Sequence, residues 1–347
     1  MRVVYTPDHR FQDPQVEIER SGVQSPYEHG GRAEAIRAAL EADDHFSLHL
    51  PSDWGIGPIE AVHDPGLVRL VAEGWAEYQK AFGATREVIP DVFYVANLRL
   101  GMEPTTEPAH IGGRLGWWCY ETTTPLVEGT FRAARSAVDA ALSATQYVLD
   151  GDRVAYGLCR PPGHHASAKL YGGYCFFNNA AVAAHHVAAT TGTKVVVLDV
   201  DYHHGNGTQQ IFYERGDVMY VSLHGDPVRA YPYVVGFADE TGAGSGAGAN
   251  LNLPLPERLD DRGYLTVLDQ ACAAIETFGA SLLIVSLGLD TFVDDPICDL
   301  ALTADGFESC GRRIGGLGLP TVVLQEGGYA VDDLGENARR WLVGAGA

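Results

Sequence analysis

Paired cysteines are missing from this 347-residue chain: Cys119, Cys159, Cys175, Cys272, Cys298 and Cys310 are scattered, with no Cys-x-x-Cys spacing. That pattern offers neither a thiolate metal site nor a disulfide framework, and reads as reduced thiols in a cytoplasmic protein. Long apolar runs are missing too. Nothing approaches the roughly 20 residues of a membrane-spanning helix, and the N-terminus, Met-Arg-Val-Val-Tyr-Thr, reads as a first strand rather than an apolar signal segment. Basic residues are scarce, with 24 Lys and Arg against 45 Asp and Glu, for a formal charge of -21. Phosphate backbones need a basic surface, so the balance argues against a nucleic-acid partner. It would either concentrate a cationic substrate or simply keep the surface soluble. The glycine-rich stretch Gly242 to Asn250 lacks the Gly-x-x-x-x-Gly-Lys order of a phosphate-binding loop. It is expected to be a close-packed loop, since glycine lets backbone pass near other groups.

What remains is an ordinary globular composition, 46 % hydrophobic and 20 % charged, with enough apolar residues for a sizeable core. From residue 154 onward, apolar runs alternate with helical periodicity. Strands are expected at Val154–Cys159, Lys194–Val200, Val218–Leu223, Ser281–Leu287 and Thr321–Gln325. Helices are expected at Asn178–Thr191, Gly205–Glu214, Gly263–Phe278 and Ala304–Gly316. Such alternation implies a parallel sheet covered on both faces. The first half is less regular. Arg2–Thr6 reads as a strand, and Gly31–Ala42, Pro58–Phe82 and Gly129–Leu149 as helices, with Asp64-Pro65 resembling an N-cap followed by proline. Between Gly83 and Leu126 regularity fails, amid four prolines and the aromatics Phe93, Tyr94, Trp117, Trp118 and Tyr120. A segment of that kind is a functional loop, an interface, or a loop folded back on its own core.

Each strong strand of the second half runs into reactive side chains. Cys159 is followed by Arg160-Pro161-Pro162-Gly163-His164-His165, Val200 by Asp201 and His203, Leu223 by His224, Leu287 by Gly288-Leu289-Asp290, and Gln325 by Glu326-Gly327-Gly328-Tyr329. In open α/β sheets ligands bind outside the carboxyl ends of the strands, so these tails are expected to converge. Asp201 and His203 alternate and would share one side of extended backbone. With Asp290 they make a three-ligand set that leaves a position open for water and substrate, suited to zinc and also to iron(II), cobalt or manganese. A divalent ion there lowers the pKa of water and polarises a carbonyl, which suggests amide or ester hydrolysis. His164 and His165 both face such a site only if the Pro-Pro-Gly turn bends the chain. Asp199 and Asn206 are candidate partners for the two rings, one raising basicity and the other only orienting. Tyr329 is placed to donate to a developing oxyanion. By contrast, His185-His186 on an alanine-rich helix reads as one packed and one solvated histidine.

Taken together, Arg160–His165, Gly172–Asn179, Asp199–Thr208, Ser222–Pro227, Ser286–Asp290 and Glu326–Tyr329 resemble the motif set of the zinc-dependent histone deacetylase superfamily, nearest to its bacterial acetylpolyamine amidohydrolase branch. The resemblance implies an arginase–deacetylase fold: a three-layer α/β/α domain spanning residues 1–347, with a mostly parallel sheet of about eight strands. It implies zinc on Asp201, His203 and Asp290, His165 as general base, His164 as an electrostatic partner paired to Asp199, and Tyr329 polarising the acyl carbonyl. It implies structural potassium at Asp199, Asp201, His203, Ser222 and Leu223, and a second monovalent ion near Phe212 and Val218. It implies a channel lined by Gly173, Tyr174, Tyr231 and Gly327. The expected substrate is a small cationic acyl-amine, and the long loop is expected to build a homodimer or higher oligomer. The chain departs from the pattern in two places. Gly112, beside His110, stands where an acidic substrate reader is expected, leaving Glu103, Glu107 or Glu121 as replacements, and Tyr231 stands where phenylalanine is usual. Other readings are a protein-lysine deacetylase, a binuclear ureohydrolase (which needs bridging ligands not found here) and a non-catalytic acyl-amine binder.

Overall fold

Runs such as Val195-Val-Val-Leu and Leu282-Leu-Ile-Val send successive apolar side chains to opposite faces, so strands built from them must be covered on both sides. The computed structural model, which describes residues 1–20, 22–102 and 106–346, meets this requirement with a central sheet between helical layers. Its strands are β1 (Arg2–Val4), β2 (Glu17–Glu19), β3 (Gly22–Gln24), β4 (Ser47–His49) and β5 (Val154–Gly157). They continue as β6 (Val195–Asp199), β7 (Val218–Gly225), β8 (Asn250–Leu255), β9 (Leu282–Leu287) and β10 (Thr321–Gln325). Eight of them form one sheet in the order β4-β1-β5-β10-β9-β6-β7-β8, with every neighbouring pair parallel. β2 and β3 make a separate antiparallel ribbon.

Val196, Leu198, Val285 and Leu287 pack on one face against the helices Gly30–Glu41, Asp261–Phe278, Ala304–Gly315 and Val331–Ala345. Val195, Val197, Ile284 and Val322 pack on the other against Thr130–Leu149 and Asn179–Thr191. Fully burying each such side chain contributes about 1.5–3 kcal/mol, the main force setting the register of the strands. That register matters for the site. Asp199 is level with Ser222 on β7 and Ser286 on β9, and Gln325 is level with Leu287. The reactive tails therefore leave the sheet at one edge.

The core strands and helices lie close to their expected bounds, but several expectations fail. The two sheet edges, β4 and β8, are not among the strands expected from the sequence. β4 has three residues, and β8 carries Asn250, Asn252 and Pro254, because an edge strand tolerates polar residues and proline that a central strand does not. The segment expected to be one helix over Pro58–Phe82 is two, Gly57–Glu60 and Pro65–Phe82, divided where the Asp64 side chain caps the second by accepting from Gly66 N–H at 2.8 Å. The segment expected to be irregular holds a helix, Ile111–Trp118. Its three glycines lower helix propensity, yet a Cβ at Gly116 would lie 1.6 Å from the Val92 carbonyl oxygen. The glycine is there for close packing. That helix joins Leu67, Leu70, Val88, Leu126 and Phe177 in a third apolar cluster beside the main layers. His185 and His186 are both half-buried, the first against Arg215 at 3.0 Å and the second edge-on to Trp54, so neither is simply solvated.

Candidate active site

At the carboxyl edge of the sheet Asp201, His203 and Asp290 come together, each offering a ligand atom within 4.8 Å of the others. His203 Nδ1 lies 3.0 Å from Asp290 Oδ2 and 3.4 Å from Asp201 Oδ1. Backbone donors hold the carboxylates in place: Gly327 N–H to Asp201 Oδ2 at 2.8 Å, Tyr202 N–H to Asp290 Oδ1 at 2.9 Å. Gly327 approaches so closely that a Cβ there would sit 2.5 Å from Asp201 Oδ2 and 2.6 Å from Asp290 Oδ2. Both carboxylates are fully buried, and burial with the neighbouring Asp201 charge pushes Asp290 up to about 7. On His203, burial disfavours the charged ring, but the two carboxylates outweigh it and raise the ring to about 10. Two buried carboxylates around one imidazole make a strongly cation-seeking donor set, and its oxygen and nitrogen atoms fit a divalent metal.

The turn after β5 brings both histidines to this set, with ring centroids 4.0 Å apart. It is shaped by Glu326, a residue given no role from sequence, whose buried Oε2 accepts from Gly163 N–H at 2.6 Å and His164 N–H at 3.1 Å. The rings have different partners: His164 Nδ1 meets Asp199 Oδ2 at 3.1 Å, and His165 Nδ1 meets Asn206 Oδ1 at 2.7 Å. For His164, burial is outweighed by Asp201 and Asp199, and the ring is raised to about 10. For His165, burial and the neighbouring His164 charge push the ring well below its usual value. The surroundings thus favour the charged form of His164 and the neutral form of His165.

A cavity of about 400 Å³ leads to these groups, walled by Gly173, Tyr174, Tyr231, His165, His203 and Tyr329. Tyr231 donates its hydroxyl to Tyr120 Oη at 2.7 Å and sets its ring edge-on to His165 at 4.9 Å. The hydroxyl expected on the channel wall is thus engaged with Tyr120. Arg32 lies over the Tyr329 ring at 4.6 Å and donates to the Gly328 and Glu326 carbonyls. A buried ion cluster links this end to the histidine turn, since Glu28 Oε1 accepts from Arg32 at 3.0 Å and from Arg160 at 2.8 Å.

The candidate amine readers fare differently. Glu107 is away from the channel, bonded to Trp118 Nε1 at 2.8 Å and Arg114 at 3.2 Å. Glu121 lines the mouth, but its oxygens accept from Gly173 N–H, Thr123 and Thr124, so it holds the wall. Glu103 lies outside the described residues. Gly112 is in the first turn of Ile111–Trp118, capped by His110. Sequence reading missed Glu17 and Glu19, on the ribbon at the entrance. Glu19 lines the mouth, while Glu17 is buried behind Tyr174, receives its hydroxyl at 3.4 Å and keeps one oxygen unpaired. Burial pushes Glu17 up to about 7. Its only sequence signal was alternation in a short polar ribbon.

A family model described as histone deacetylase domain matches residues 27–344. The chain belongs to the histone deacetylase family. It is a hydrolase of the deacetylase–amidohydrolase class. Among its relatives, acetylpolyamine amidohydrolase 2 of Pseudomonas aeruginosa is 41 % identical over 99 % of this chain and 98 % of its own. The acetylpolyamine amidohydrolase of Mycoplana ramosa is 39 % identical over 99 % of each. The crystal structure of an acetylpolyamine aminohydrolase from Burkholderia pseudomallei superposes with a TM-score of 0.92 at 39 % identity, covering 100 % of this chain and 99 % of that one. The expected fold is therefore the observed one. No helix among the described residues is long and apolar enough to cross a membrane.

Proposed function

We propose that this histone deacetylase family member is a zinc-dependent amidohydrolase that deacetylates a small N-acetylated amine, an acetylpolyamine or close analogue. The observation that carries the reading is the meeting, on one channel, of the Asp-His-Asp donor set, the Asn-oriented His165 and the Tyr329 phenol. The relatives' names supply the substrate class. Asp201, His203 and Asp290 would hold the ion, with iron(II), cobalt or manganese as alternatives. When bound, the metal supplies Lewis-acid polarisation of the acyl carbonyl and a water of lowered pKa.

His165 takes up the proton. Asn206 Oδ1 engages Nδ1–H, which fixes the tautomer and leaves Nε2 free to accept, then to return the proton to the departing amine. Asn206 is neutral, so it orients the ring without making it strongly basic. His164, paired to Asp199, keeps its proton and offsets negative charge beside the reaction. Tyr329 donates its hydroxyl to the acyl oxygen as charge develops there. Glu19 is an acidic side chain at the entrance, and Glu17, buried behind Tyr174 with one oxygen unpaired, adds to the pull on a cationic amine there. Arg229 at the rim is already paired to Glu257 and Asp299. Asp199, Asp201, His203, Ser222 and Leu223, at the adjoining ends of β6 and β7, are the positions for structural potassium, with Phe212 and Val218 for a second ion.

The exposed apolar side chains Val92, Val95, Leu98, Leu100 and Met102 crowd into one short segment. A patch of that kind favours association, and a second copy of this chain is the proposed partner. The deciding test strips the protein of metal, restores zinc and measures turnover of acetylputrescine, acetylcadaverine, acetylspermidine and acetyl-lysine peptides. Zinc-dependent release of acetate, fastest from the small acetylated amines, is expected. No turnover of any of them by folded, zinc-loaded protein would refute the function, and equal rates on peptides and diamines would favour a protein-lysine deacetylase.

A further inference from the structure

Tyr329 needs more than its place in the chain to act on a carbonyl. β10 ends at Gln325, and the link from there to Tyr329 is Glu326-Gly327-Gly328, with Gly328 at φ +115°. Two consecutive glycines give this link wide conformational freedom. Arg32 restrains the Glu326 and Gly328 carbonyls, but it does not reach the amide of Tyr329 itself. That amide is held from another loop. Asp295, five residues beyond Asp290, is buried and accepts through Oδ2 from Tyr329 N–H at 2.7 Å and from Ala330 N–H at 3.3 Å. Its Oδ1 accepts from Ile297 N–H at 3.1 Å, and its own N–H donates to the Phe292 carbonyl at 3.0 Å. The carboxylate is thus locked into its own loop on one side and grips the tyrosine backbone on the other.

We propose that Asp295 is the positioning residue for Tyr329: by accepting the Tyr329 and Ala330 amides it fixes where the phenol stands relative to the Asp-His-Asp set. The inference rests on the reading of Tyr329 as oxyanion donor. Asp295 does not line the channel, so it acts through the tyrosine and not on substrate. Ionised acceptors make the stronger hydrogen bonds to backbone N–H groups. Without this one, the buried Tyr329 N–H and the half-buried Ala330 N–H lose this acceptor, and Tyr329 is free to shift at the end of the glycine link. A displacement of about 1 Å at a catalytic group costs on the order of 100-fold in rate.

The test is a double-mutant cycle on zinc-loaded protein, assayed on the acetylated amine with the highest turnover. Asp295→Ala is expected to lower kcat by about 10- to 100-fold, with KM within about threefold and zinc content unchanged. In a Tyr329→Phe background the same change should cost less than about a further threefold, because the phenol it positions no longer acts. Equal losses in the two backgrounds, or loss of zinc, would overturn the proposal and place Asp295 in support of Asp290. Should Asp295→Ala not fold, Asp295→Asn, which keeps one oxygen, is read in the same two backgrounds by the same criterion. Tyr329→Phe alone separates the layers. If it leaves kcat intact, the reading of Tyr329 fails; if it lowers kcat while Asp295 variants do not, only the positioning role fails.

Discussion

Replacing Glu28 with Gln tests how the buried charges behind the site are held. Glu28 is 3 % exposed and Arg32 and Arg160 are each 2 % exposed, with one carboxylate oxygen serving both guanidinium groups. Glutamine keeps the shape and an acceptor but removes the charge, leaving two buried cations with neutral acceptors only, among them the Glu326 and Gly328 carbonyls for Arg32 and the His9 and Gln12 carbonyls for Arg160. Removing one partner of a buried ion pair typically costs about 3–5 kcal/mol, most of it the desolvation of the orphaned charge. With about 2.1 cal/mol/K of unfolding entropy per residue, a loss of that size in 347 residues lowers Tm by about 4–7 °C. Thermal and urea unfolding at fixed zinc concentration would measure it. The pH dependence has a definite sign. Burial raises the Glu28 carboxyl, but Arg160 and Arg32 outweigh it and hold it below the usual range. Its stabilisation is therefore complete above the unfolded value of about 4.3 and is lost as pH falls through the lower folded value. The gap between the two proteins should be widest near neutrality and close in strong acid. A Glu28→Gln protein within about 1 kcal/mol of the parent at pH 7 would refute the reasoning, since the guanidinium groups would then not depend on this carboxylate.

Tyr329→Phe should lower kcat by about 10²–10³-fold, the usual cost of one oxyanion donor, with zinc content unchanged by metal analysis. Asn206→Asp places a carboxylate where Asn206 Oδ1 now meets His165 Nδ1. It should raise the His165 pKa, so the acid limb of the kcat/KM profile moves to higher pH; a limb that stays or moves down would contradict the base assignment. Leu98→Asp with Leu100→Asp, at positions 73 % and 82 % exposed, should leave folding intact and convert an oligomer to monomer in sedimentation. An unchanged sedimentation coefficient from an oligomeric parent would exclude this segment as the interface.

The donor triad, the two histidines with their unequal partners, and Tyr329 were all readable as residue types at strand ends, because a buried parallel strand announces itself by an unbroken apolar run and chemistry begins where the run stops. The same logic is silent at the sheet margins. β4 and β8 have one neighbour each and carry the polar residues and proline that an edge tolerates. The helix Ile111–Trp118 was hidden by three glycines, one of which, Gly116, has its reason in a loop some twenty residues away, where Val92 leaves no room for a Cβ.

Sequence alone determined the reaction class, since the ligand types, the Asp and Asn partners and the phenol are local facts about which atoms are available. Tertiary structure decided which carboxylates do what. Glu107 and Glu121 were equivalent candidates in one dimension. In three, Glu107 bonds Trp118 and Arg114 away from the channel, Glu121 is consumed by the wall, and Glu19 arrives at the entrance from a ribbon distant in sequence. Glu326 and Asp295 became meaningful only when folding set them against backbone amides of loops distant in sequence. A side chain's chemistry is written in its type; its partners depend on long-range packing, which register and burial set together.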